Sequence, residues 1–405
     1  MRHAAFATLL LTALVTLAAR SDETSAQRAT STTLLSRALD GGTPNGASTN
    51  PVISGDLRYA RIIAFESEAS DLVSGDTNGQ KDVFAIRRAG SFSNSGSAWT
   101  PGRAQLVSRG PRGEPANGPS FDPAVDGNLP HKATCVAFLS DASNLVSGDT
   151  NNQTDAFLAK APNFVPRRVS LPSNRQSASD TTHVAVSGDC SRTAFVTGGK
   201  LFTRVGSSTR ALSTRSNPAD PSFAAFESNH LVFGAKGGVY LSEGGTGKPR
   251  RVATKAADPA YDHARRRKVI AFERNRNGTT QIVFRVLGGG EKYASRFRGV
   301  FGNRDSRDPV IVNTGFFIGF ESDATNLPTK TSGVKEDTNG LPDAYLFTDT
   351  RSVTALESVN SNSDPLRAGA RNPSTSYYRN YVVFDSAAND PNDAPQIYLR
   401  YLGGI

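Results

Sequence analysis

The chain has 405 residues and a formal net charge of +9, and it contains 37 glycines and 22 prolines. This length allows two or three ordinary domains or one large repeat array, and the turn-rich composition favours many short strands. No charged or low-complexity tract marks a disordered domain, and no nucleic-acid-binding motif accompanies the basic residues, so specific nucleic-acid recognition is not expected.

The N-terminus has the features of an export signal. Arg2 supplies a positive charge, and the apolar run that follows, residues 6–19, is too short for a comfortable membrane span. Arg20 stands where a lipoprotein signal needs cysteine. We therefore expect a signal peptide over residues 1–26, a linker over 27–31 and a free periplasmic or extracellular product without a membrane span.

From residue 32 to residue 405, the sequence predicts one domain built from seven similar units. Each unit opens with a basic-to-apolar strand, and a polar loop then leads to an Asp-Pro or Asn-Pro pair. The pairs are Asn50-Pro51, Asp122-Pro123, Asp220-Pro221, Asp258-Pro259, Asp308-Pro309 and Asn372-Pro373. Only the third unit differs, with Thr182-His183 in this place. Because a residue before proline is pushed towards an extended conformation, each pair is expected to begin a strand, with the Asp or Asn capping the preceding turn.

Two further strands complete each unit. The first is apolar and is centred on Phe65, Phe138, Phe195, Phe233, Phe272, Phe320 or Phe384. The second carries Phe84, Phe157, Phe202, Tyr240, Val283, Tyr345 or Tyr398. Four strands per unit, separated by turn signals, predict an all-β propeller of four-stranded blades whose aromatic side chains fill the layers between blades. No sustained helical periodicity is present.

The two ends of the chain predict how the ring closes. The chain begins with a strand of the opening type, residues 33–36, and ends with a strand of the last type, residues 397–401. Pairing of these two strands in the C-terminal blade would leave no open sheet edge. We expect seven blades, with six as the alternative if two of the compact units three to five merge.

The repeat resembles that of the TolB-like (WD-type) propellers. The matching residues are Ser54-Gly55-Asp56, Ile63-Ala64-Phe65 and Asp82-Val83-Phe84, and a second match is Ser187-Gly188-Asp189 with Thr193-Ala194-Phe195. The resemblance covers most of the chain from residue 32. It implies a secreted propeller that works through protein partners.

Three acidic loops share one spacing and are the candidate metal sites. They are Asp76-x-Asn78-x-x-x-Asp82, Asp149-x-Asn151-x-x-x-Asp155 and Asp337-x-Asn339-x-x-x-Asp343. Oxygens of Asp and Asn that alternate along a tight loop suit a hard cation such as calcium, although the closing glutamate of an EF-type loop is missing. The alternative is a loop held by Asx hydrogen bonds without an ion. No other cofactor is expected.

The two cysteines, Cys135 and Cys190, fall in consecutive repeats. In an exported protein they form either a disulfide or two separate thiols. A zinc site is not expected, because the five histidines show no ligand spacing with them.

Enzyme signatures are weak. The chain has no Gly-x-Ser-x-Gly motif and no His-Glu-x-x-His motif. Glycosidase chemistry needs two facing carboxylates, and Glu66, Glu227, Glu273 and Glu321 all lie at or near the position after the repeated Phe. Their recurrence at one repeat position indicates a structural cause.

The sequence therefore predicts a monomeric, non-enzymatic exported scaffold that binds a protein or an anionic envelope polymer. The partner is expected on the face that carries the long loops. The alternative is a hydrolase of extracellular polysaccharide, which a cluster of acidic or histidine side chains in a deep central pocket would favour. Trp99, in a Ser/Gly-rich stretch, is expected in a mobile inter-blade loop.

Overall fold

The computed structural model describes residues 30–56, 59–90, 99–128, 130–172, 175–212, 218–223, 229–264, 267–312, 315–328, 337, 339–388, 390 and 392–403. These residues form thirty strands and a single 3₁₀ turn at Glu243–Gly245. Within them, no helix has the length and apolar character needed to cross a membrane. The predicted signal peptide, the first residues of the predicted linker and Glu227 lie outside the described residues.

The strands form seven four-stranded antiparallel sheets, which we call blades 1 to 7. Blade 1 contains β2 (Ser48–Ile53), β3 (Ile62–Ser67), β4 (Asp82–Arg88) and β5 (Pro101–Leu106). Blade 2 contains β6 (Ser120–Val125), β7 (Cys135–Ser140), β8 (Asp155–Lys160) and β9 (Val165–Arg168). Blade 3 contains β10 (Thr181–Val186), β11 (Arg192–Thr197), β12 (Lys200–Val205) and β13 (Ser208–Leu212). Blade 4 contains β14 (Ala219–Phe223), β15 (Leu231–Ala235), β16 (Gly238–Ser242) and β17 (Arg250–Thr254).

The remaining blades complete the ring. Blade 5 contains β18 (Ala257–Ala264), β19 (Arg267–Arg276), β20 (Thr279–Val286) and β21 (Glu291–Tyr293). A small hairpin of β22 (Arg296–Phe297) and β23 (Val300–Phe301) follows. Blade 6 contains β24 (Ser306–Val312), β25 (Phe317–Ser322), β26 (Asp343–Thr348) and β27 (Val353–Leu356). Blade 7 contains β28 (Arg371–Thr375), β29 (Tyr381–Ser386), β30 (Gln396–Tyr401) and the N-terminal strand β1 (Ser31–Leu34).

The ends of the chain close the ring as predicted. β1 pairs antiparallel with β30, with Thr33 opposite Leu399. The outer strand of blade 7 therefore comes from the N-terminus, and each predicted opening strand forms the outer edge of the preceding blade. The seven-blade prediction is confirmed, and the six-blade alternative is wrong because units three to five each form a separate sheet.

Paired aromatic side chains form much of the core. The rings of Phe65 and Phe84 lie opposite each other on β3 and β4, with centroids 5.9 Å apart. The same stacked pair recurs as Phe138–Phe157, Phe195–Phe202, Phe233–Tyr240, Phe320–Tyr345 and Phe384–Tyr398. The packed clusters combine residues of neighbouring blades, so each sheet buries its faces against its neighbours. Each buried Phe contributes about 1.5–3 kcal/mol through removal of apolar surface from water.

The long loops lie on one face of the ring. The innermost strand of each blade runs from its Asp-Pro or Asn-Pro end to a tight turn, and the next strand runs back. Both the connection between blades and the loop between the second and third strands therefore lie at the Asp-Pro end, which we call the long-loop face. In blades 3 and 5 this second loop shrinks to the two-residue turns Gly198-Gly199 and Asn277-Gly278, with positive φ at each residue, as the twist of a hairpin requires.

The residue before proline does not adopt the extended conformation that the sequence predicted. Asn50, Asp122, Asp220, Asp258, Asp308 and Asn372 have φ between 41° and 55°. The register of the innermost strand shifts at the same place, as at Thr49/Val52 in blade 1. The pair is therefore a β-bulge inside the strand, where proline is tolerated because the ladder is already interrupted. Asp and Asn suit it because they adopt the left-handed conformation more readily than most residues.

The structure answers two further questions, the state of the two cysteines and the position of Trp99. Cys135 and Cys190 form a disulfide that joins blades 2 and 3, with their Cα atoms 6.2 Å apart. The expectation of a mobile inter-blade loop is wrong for Trp99, which lies between β4 and β5 along the chain of blade 1 and is buried against blade 7. Its Nε1 donates a hydrogen bond of 2.6 Å to the Ala60 carbonyl, which fixes the ring. Residues 91–98, which precede it, lie outside the described residues.

Candidate functional site at the channel mouth

A central cavity of about 360 Å³ runs between the innermost strands of all seven blades. Its wall is mainly aliphatic, with residues such as Val125, Val186 and Ile311. Asp122, His183, Asp220 and Asp258 line the end that opens on the long-loop face. We call this end the channel mouth.

One polar residue from each blade forms the ring around the channel mouth. In order around the ring these residues are Asn50, Asp122, His183, Asp220, Asp258, Asp308 and Asn372. All except His183 are the bulge residues with positive φ described above. The register of the innermost strand shifts at the same place in every blade, so the seven residues surround one mouth although they are far apart in sequence. Four of them, Asp122, His183, Asp220 and Asp258, line the cavity itself.

A carboxylate on the second strand of one blade bridges to the next blade at four joints. Glu273 Oε1 accepts a hydrogen bond of 2.9 Å from the backbone N–H of Asp308, and Glu321 Oε2 accepts one of 3.3 Å from that of Asn372. Further round the ring, Asp385 accepts from the N–H of Asn50 and Glu66 from that of Asp122. We call Glu66, Glu273, Glu321 and Asp385 the bridging carboxylates. The structural cause that the sequence indicated for the recurring glutamates is this contact.

The same position is apolar in the other three blades. It is Leu139 in blade 2, Val196 in blade 3 and Gly234 in blade 4, each at the register of a bridging carboxylate. A Cβ at Gly234 would lie 4.0 Å from the backbone nitrogen of Asp258, so the position faces the next blade here too. These three joints therefore lack a bridging carboxylate.

Negative charge concentrates at the joint between blades 5 and 6. Carboxylate oxygens of Asp258, Glu273 and Asp308 lie within 4.8 Å of one another. Burial raises the pKa of Asp258 well above its ordinary range, and the charges of Asp220, Glu273 and Asp308 raise it further. Asp258 also shares a hydrogen bond with Glu273, whose pKa is raised mainly by burial.

His183 is the one ring residue that carries positive charge at mildly acidic pH. Its Nε2 lies 3.3 Å from Asp220 Oδ1, and this hydrogen bond raises the pKa of the imidazole. Acidification therefore adds positive charge to the mouth at His183 while it removes negative charge from the neighbouring carboxylates.

The first predicted metal loop is closed by hydrogen bonds. Asn78 Nδ2 donates to Asp82 Oδ2 at 2.6 Å and to the Ala116 carbonyl at 2.9 Å. Ser108 donates to the other oxygen of Asp82. Burial raises the pKa of Asp82 to about 7 and also raises that of Asp76. The loop residues are thus brought together, with protein donors on both oxygens of Asp82.

The second and third loops repeat this arrangement with one difference. Asn151 donates to Asp155 at 3.0 Å, but Arg168 also lies 2.8 Å from Asp149 and 3.1 Å from Asp155. In the third loop, Asn339 donates to the Leu366 carbonyl at 2.9 Å and Ser358 donates to Asp343 at 2.8 Å. Burial raises the pKa of Asp343 to about 7.

Two other blades have glutamine at the position of the last aspartate of the acidic loop. Gln281 in blade 5 accepts from Ser295 and Gln396 in blade 7 accepts from Ser36, at 2.8 and 2.9 Å. The pairing of this position with a serine of the outer strand is therefore a feature of the blade, whether or not the loop binds a cation.

The residues of the channel mouth form a visible repeat in the sequence, but that repeat predicts strand starts rather than a channel. The Asp-Pro and Asn-Pro pairs predicted strand starts, and nothing in one sequence shows that they surround a channel. The informative signal is the combination of two repeats, an acidic residue after the Phe and an Asp or Asn before proline in the following unit. One residue supplies the hydrogen-bond acceptor and the other supplies the backbone donor.

No protein-family model and no curated protein matches the chain. Similar solved structures include TolB from Acinetobacter baumannii, with a TM-score of 0.41 and 14% identity over 67% of this chain and 64% of that chain. A putative TolB from Agrobacterium tumefaciens has a TM-score of 0.38 and 15% identity over 59% of this chain and 86% of that one. Trypanosoma rangeli sialidase has a TM-score of 0.38 and 11% identity over 92% of this chain and 57% of that one. Identities this low concern the fold alone.

Proposed function

Starting from a TolB-like seven-bladed propeller, we propose that this protein is an exported, non-enzymatic scaffold that binds a basic segment of a partner protein at the channel mouth. The observation that carries the proposal is the convergence of carboxylates from several blades on one opening of a chain whose net charge is +9. Such a local field of opposite sign favours a cationic group and steers it on approach.

Electrostatics of the mouth support a cationic partner. Asp258 is held near Asp220, Glu273 and Asp308, and this repulsion costs free energy in the unliganded protein. A lysine or arginine side chain placed among them relieves the repulsion and adds charge-assisted hydrogen bonds. An anionic envelope polymer would be repelled here and would have to bind elsewhere on the surface.

The surrounding surface fits a segment of chain. The mouth opens on the long-loop face, where the loops of blades 1, 2, 6 and 7 extend beyond the strands. Loops on a rigid scaffold commonly carry binding residues, because their sequence is less constrained by the fold. The aliphatic wall of the channel below the mouth can accept the apolar stem of a long basic side chain.

The proposal is tested with immobilised protein and an envelope extract. The wild type is compared with the double variant Asp220→Asn/Asp258→Asn and with Glu243→Gln, a change of an exposed glutamate between β16 and β17, on the face opposite the mouth. A partner retained by the wild type and by Glu243→Gln should be lost from the double variant, and it should elute as salt rises. A synthetic peptide of its most basic segment should compete. Equal retention by all three proteins would exclude the mouth as the binding site.

A second candidate function, polysaccharide hydrolysis, is favoured by the acidic cluster in the central cavity. Paired carboxylates with different pKa values are the usual acid and base of a glycosidase. Here, however, Asp258 and Glu273 are hydrogen-bonded to each other, which leaves no room for a sugar between them. Glu273 is also one of the four bridging carboxylates. Release of nitrophenol from aryl glycosides by the wild type, abolished in Asp258→Asn, would establish the hydrolase instead.

Two observations support export. The first 26 residues have the charge and apolar pattern of a signal peptide. The disulfide between Cys135 and Cys190 suits an oxidising compartment outside the cytoplasm. N-terminal sequencing of the protein recovered from the periplasm or medium should begin near residue 27, whereas an intact Met1 in that fraction would argue against cleavage.

Calcium binding by the three acidic loops is a further part of the proposal. Its role would be to hold the long loops in place rather than to take part in chemistry. The side chains concerned are Asp76, Asn78, Asp82, Asp149, Asn151, Asp155, Asp337, Asn339 and Asp343.

A further inference from the structure

A buried glutamate replaces an aliphatic residue at one repeated position. In five blades, the residue after the outer strand donates its backbone N–H to the residue before the repeated aromatic of the third strand. These residues are Leu35, Val107, Val169, Ala294 and Glu357, and all five are buried. Glu357 is 6% exposed, in a position where four sister blades pack an apolar side chain. A buried carboxylate costs stability, so its presence calls for a compensating role.

Glu357 lines a cavity of about 260 Å³ between blades 6 and 7. One face of the β26–β27 hairpin forms the floor of this cavity, with Leu346, Val353 and Ala355 beside the glutamate. The buried Phe317 closes one side. The volume lies just below the roughly 300 Å³ at which pockets for drug-sized molecules begin, so the cavity suits a smaller ligand.

The cavity exists because of the way the ring closes. At two sister joints an aromatic side chain from the loop between the third and fourth strands packs with the aliphatic residue. Trp99 joins the cluster of Leu35, and Phe164 joins that of Val107. In the part of the chain that the structure describes, blade 7 has no such loop, because its fourth strand is β1 from the N-terminus. Among these described residues, no loop aromatic of blade 7 fills the space beside Glu357.

The charges of the cavity have both signs. Glu357 Oε2 lies 3.6 Å from Arg400 Nε, and that nitrogen has no hydrogen-bond partner in the part of the chain that the structure describes. Arg379 stacks its guanidinium over the Phe317 ring, 5.3 Å from the centroid, and Arg351 is exposed at the rim. A buried acid at the inner wall thus faces two basic groups nearer the opening.

Burial has the largest effect on the pKa of Glu357. It raises the pKa of Glu357 to about 7 despite the opposing charges of Arg400 and Arg379. The carboxylate is therefore incompletely stabilised by the protein, and a further hydrogen-bond donor with positive charge would lower its free energy.

We propose that this cavity binds a small zwitterion with an apolar side chain, such as a free aliphatic amino acid. The ligand ammonium contacts Glu357, the ligand carboxylate contacts Arg379 and Arg351, and the side chain lies on Leu346, Val353 and Ala355. The site is separate from the channel mouth, and it needs no residue of the mouth. Its ligand class follows from the paired charges, since a simple amine or a simple acid would satisfy only one of them.

Calorimetric titration of the mature protein tests the site with three probes of one shape. L-Leucine carries both charges, 3-methylbutan-1-amine lacks the carboxylate, and 4-methylpentanoate lacks the ammonium. We expect leucine to bind and each analogue to bind about tenfold or more weakly, because each leaves a buried or partly buried charge unpaired. Equal binding of all three probes, or no binding of leucine at millimolar concentration, would overturn the proposal.

Three variants locate the binding. Glu357→Gln keeps the shape of the side chain and should weaken leucine binding about tenfold or more. Glu68→Gln, a change of an exposed glutamate in blade 1, should leave it unchanged. Ala355→Leu fills the cavity without altering charge and should abolish binding, which serves if Glu357→Gln fails to fold. Unchanged leucine affinity in both cavity variants, with folding verified by circular dichroism, would show that leucine binds elsewhere.

Discussion

The seven blades are the same kind of four-stranded sheet, but they fall into two groups that are joined differently. The first group is blades 6, 7, 1 and 2, and the second group is blades 3, 4 and 5. In the first group the loops between the second and third strands are long, and all three joints within the group carry a bridging carboxylate, Glu321, Asp385 or Glu66. In the second group these loops are tight hairpins, and the joints within it have Val196 or Gly234 at the same position. Glu273 and the Cys135–Cys190 disulfide join the two groups at their borders.

The comparison shows that one backbone geometry is compatible with two kinds of joint. The bulge N–H bonds to a carboxylate of the preceding blade at four joints, and at Gly234 the Asp258 nitrogen faces the same position of the preceding blade. A carboxylate satisfies that donor directly but has to be buried, and burial raises the pKa of Glu321. An apolar residue avoids this cost and relies on packing, and at the joint of blades 2 and 3 a covalent bond adds to it.

Removal of the disulfide should have the largest effect. The double variant Cys135→Ala/Cys190→Ala should lose about 2–5 kcal/mol of unfolding free energy, because the bond closes a long loop and joins blades that lack a bridging carboxylate. Urea unfolding followed by fluorescence measures this. Reduction of the wild type should reproduce the loss and leave the variant unaffected. An unfolding midpoint equal to that of the oxidised wild type would mean that packing alone holds this joint.

Loss of one bridging carboxylate should have an intermediate effect. Glu321 is 2% exposed and lies 3.2 Å from both Arg307 and Arg371, besides accepting from Asn372. Glu321→Ala should cost about 1–3 kcal/mol, because three donors lose their hydrogen bonds to a charged acceptor. Glu68→Ala provides an exposed control in the same urea assay. If the two variants were equally stable, the carboxylate bridge would contribute nothing to the joint.

The pH dependence of stability should come partly from the border at Glu273. The pKa values of Asp258 and Glu273 are raised above their ordinary 3.8 and 4.5, so the folded chain keeps protons that the unfolded chain has lost. Their contribution to stability is therefore greatest below those ordinary values and falls as pH rises through the folded-state pKa values. Melting temperatures from about pH 5 to pH 8 should fall less steeply for Asp258→Asn/Glu273→Gln than for the wild type. An identical slope would contradict the raised pKa values.

Calcium should give the smallest effect. It should act only on the first group of blades, in which the loops between the second and third strands are long. If the acidic loops bind the ion, calcium raises the melting temperature and a chelator lowers it. Arg168 lies on the outer strand of blade 2, and Leu106 and Leu356 occupy the same register in blades 1 and 6. Arg168→Leu therefore gives the second loop the same neighbour as the first and third loops. The variant should show a larger calcium shift than the wild type, since the guanidinium no longer competes for Asp149 and Asp155. Unchanged melting of both proteins in saturating calcium would leave Asx hydrogen bonding as the full explanation of the loops.

Some features of the fold follow from the sequence alone, and others do not. The paired aromatics, the tight Ser-Gly-Asp turns and the strand-like ends were sufficient for the blade, the blade count and the closure, because each depends on local patterns that repeat. The conformation at Asp258-Pro259 was predicted wrongly, because the general preference of a residue before proline was overridden by a bulge that the ring imposes. The buried position of Trp99 was also missed, since a Ser/Gly-rich neighbourhood says nothing about a groove between two blades.

The repeat by itself determined a closed all-β ring with long loops on one face, because alternation of apolar strands and turn residues is legible along a single chain. Tertiary structure alone decided which charges meet. Asp122, Asp220 and Asp258 line one opening only when the seven inner strands surround a channel. Glu357 faces a cavity at the joint where the last blade takes its outer strand from the other end of the chain. Proximity between distant repeats depends on ring geometry, which no local pattern encodes.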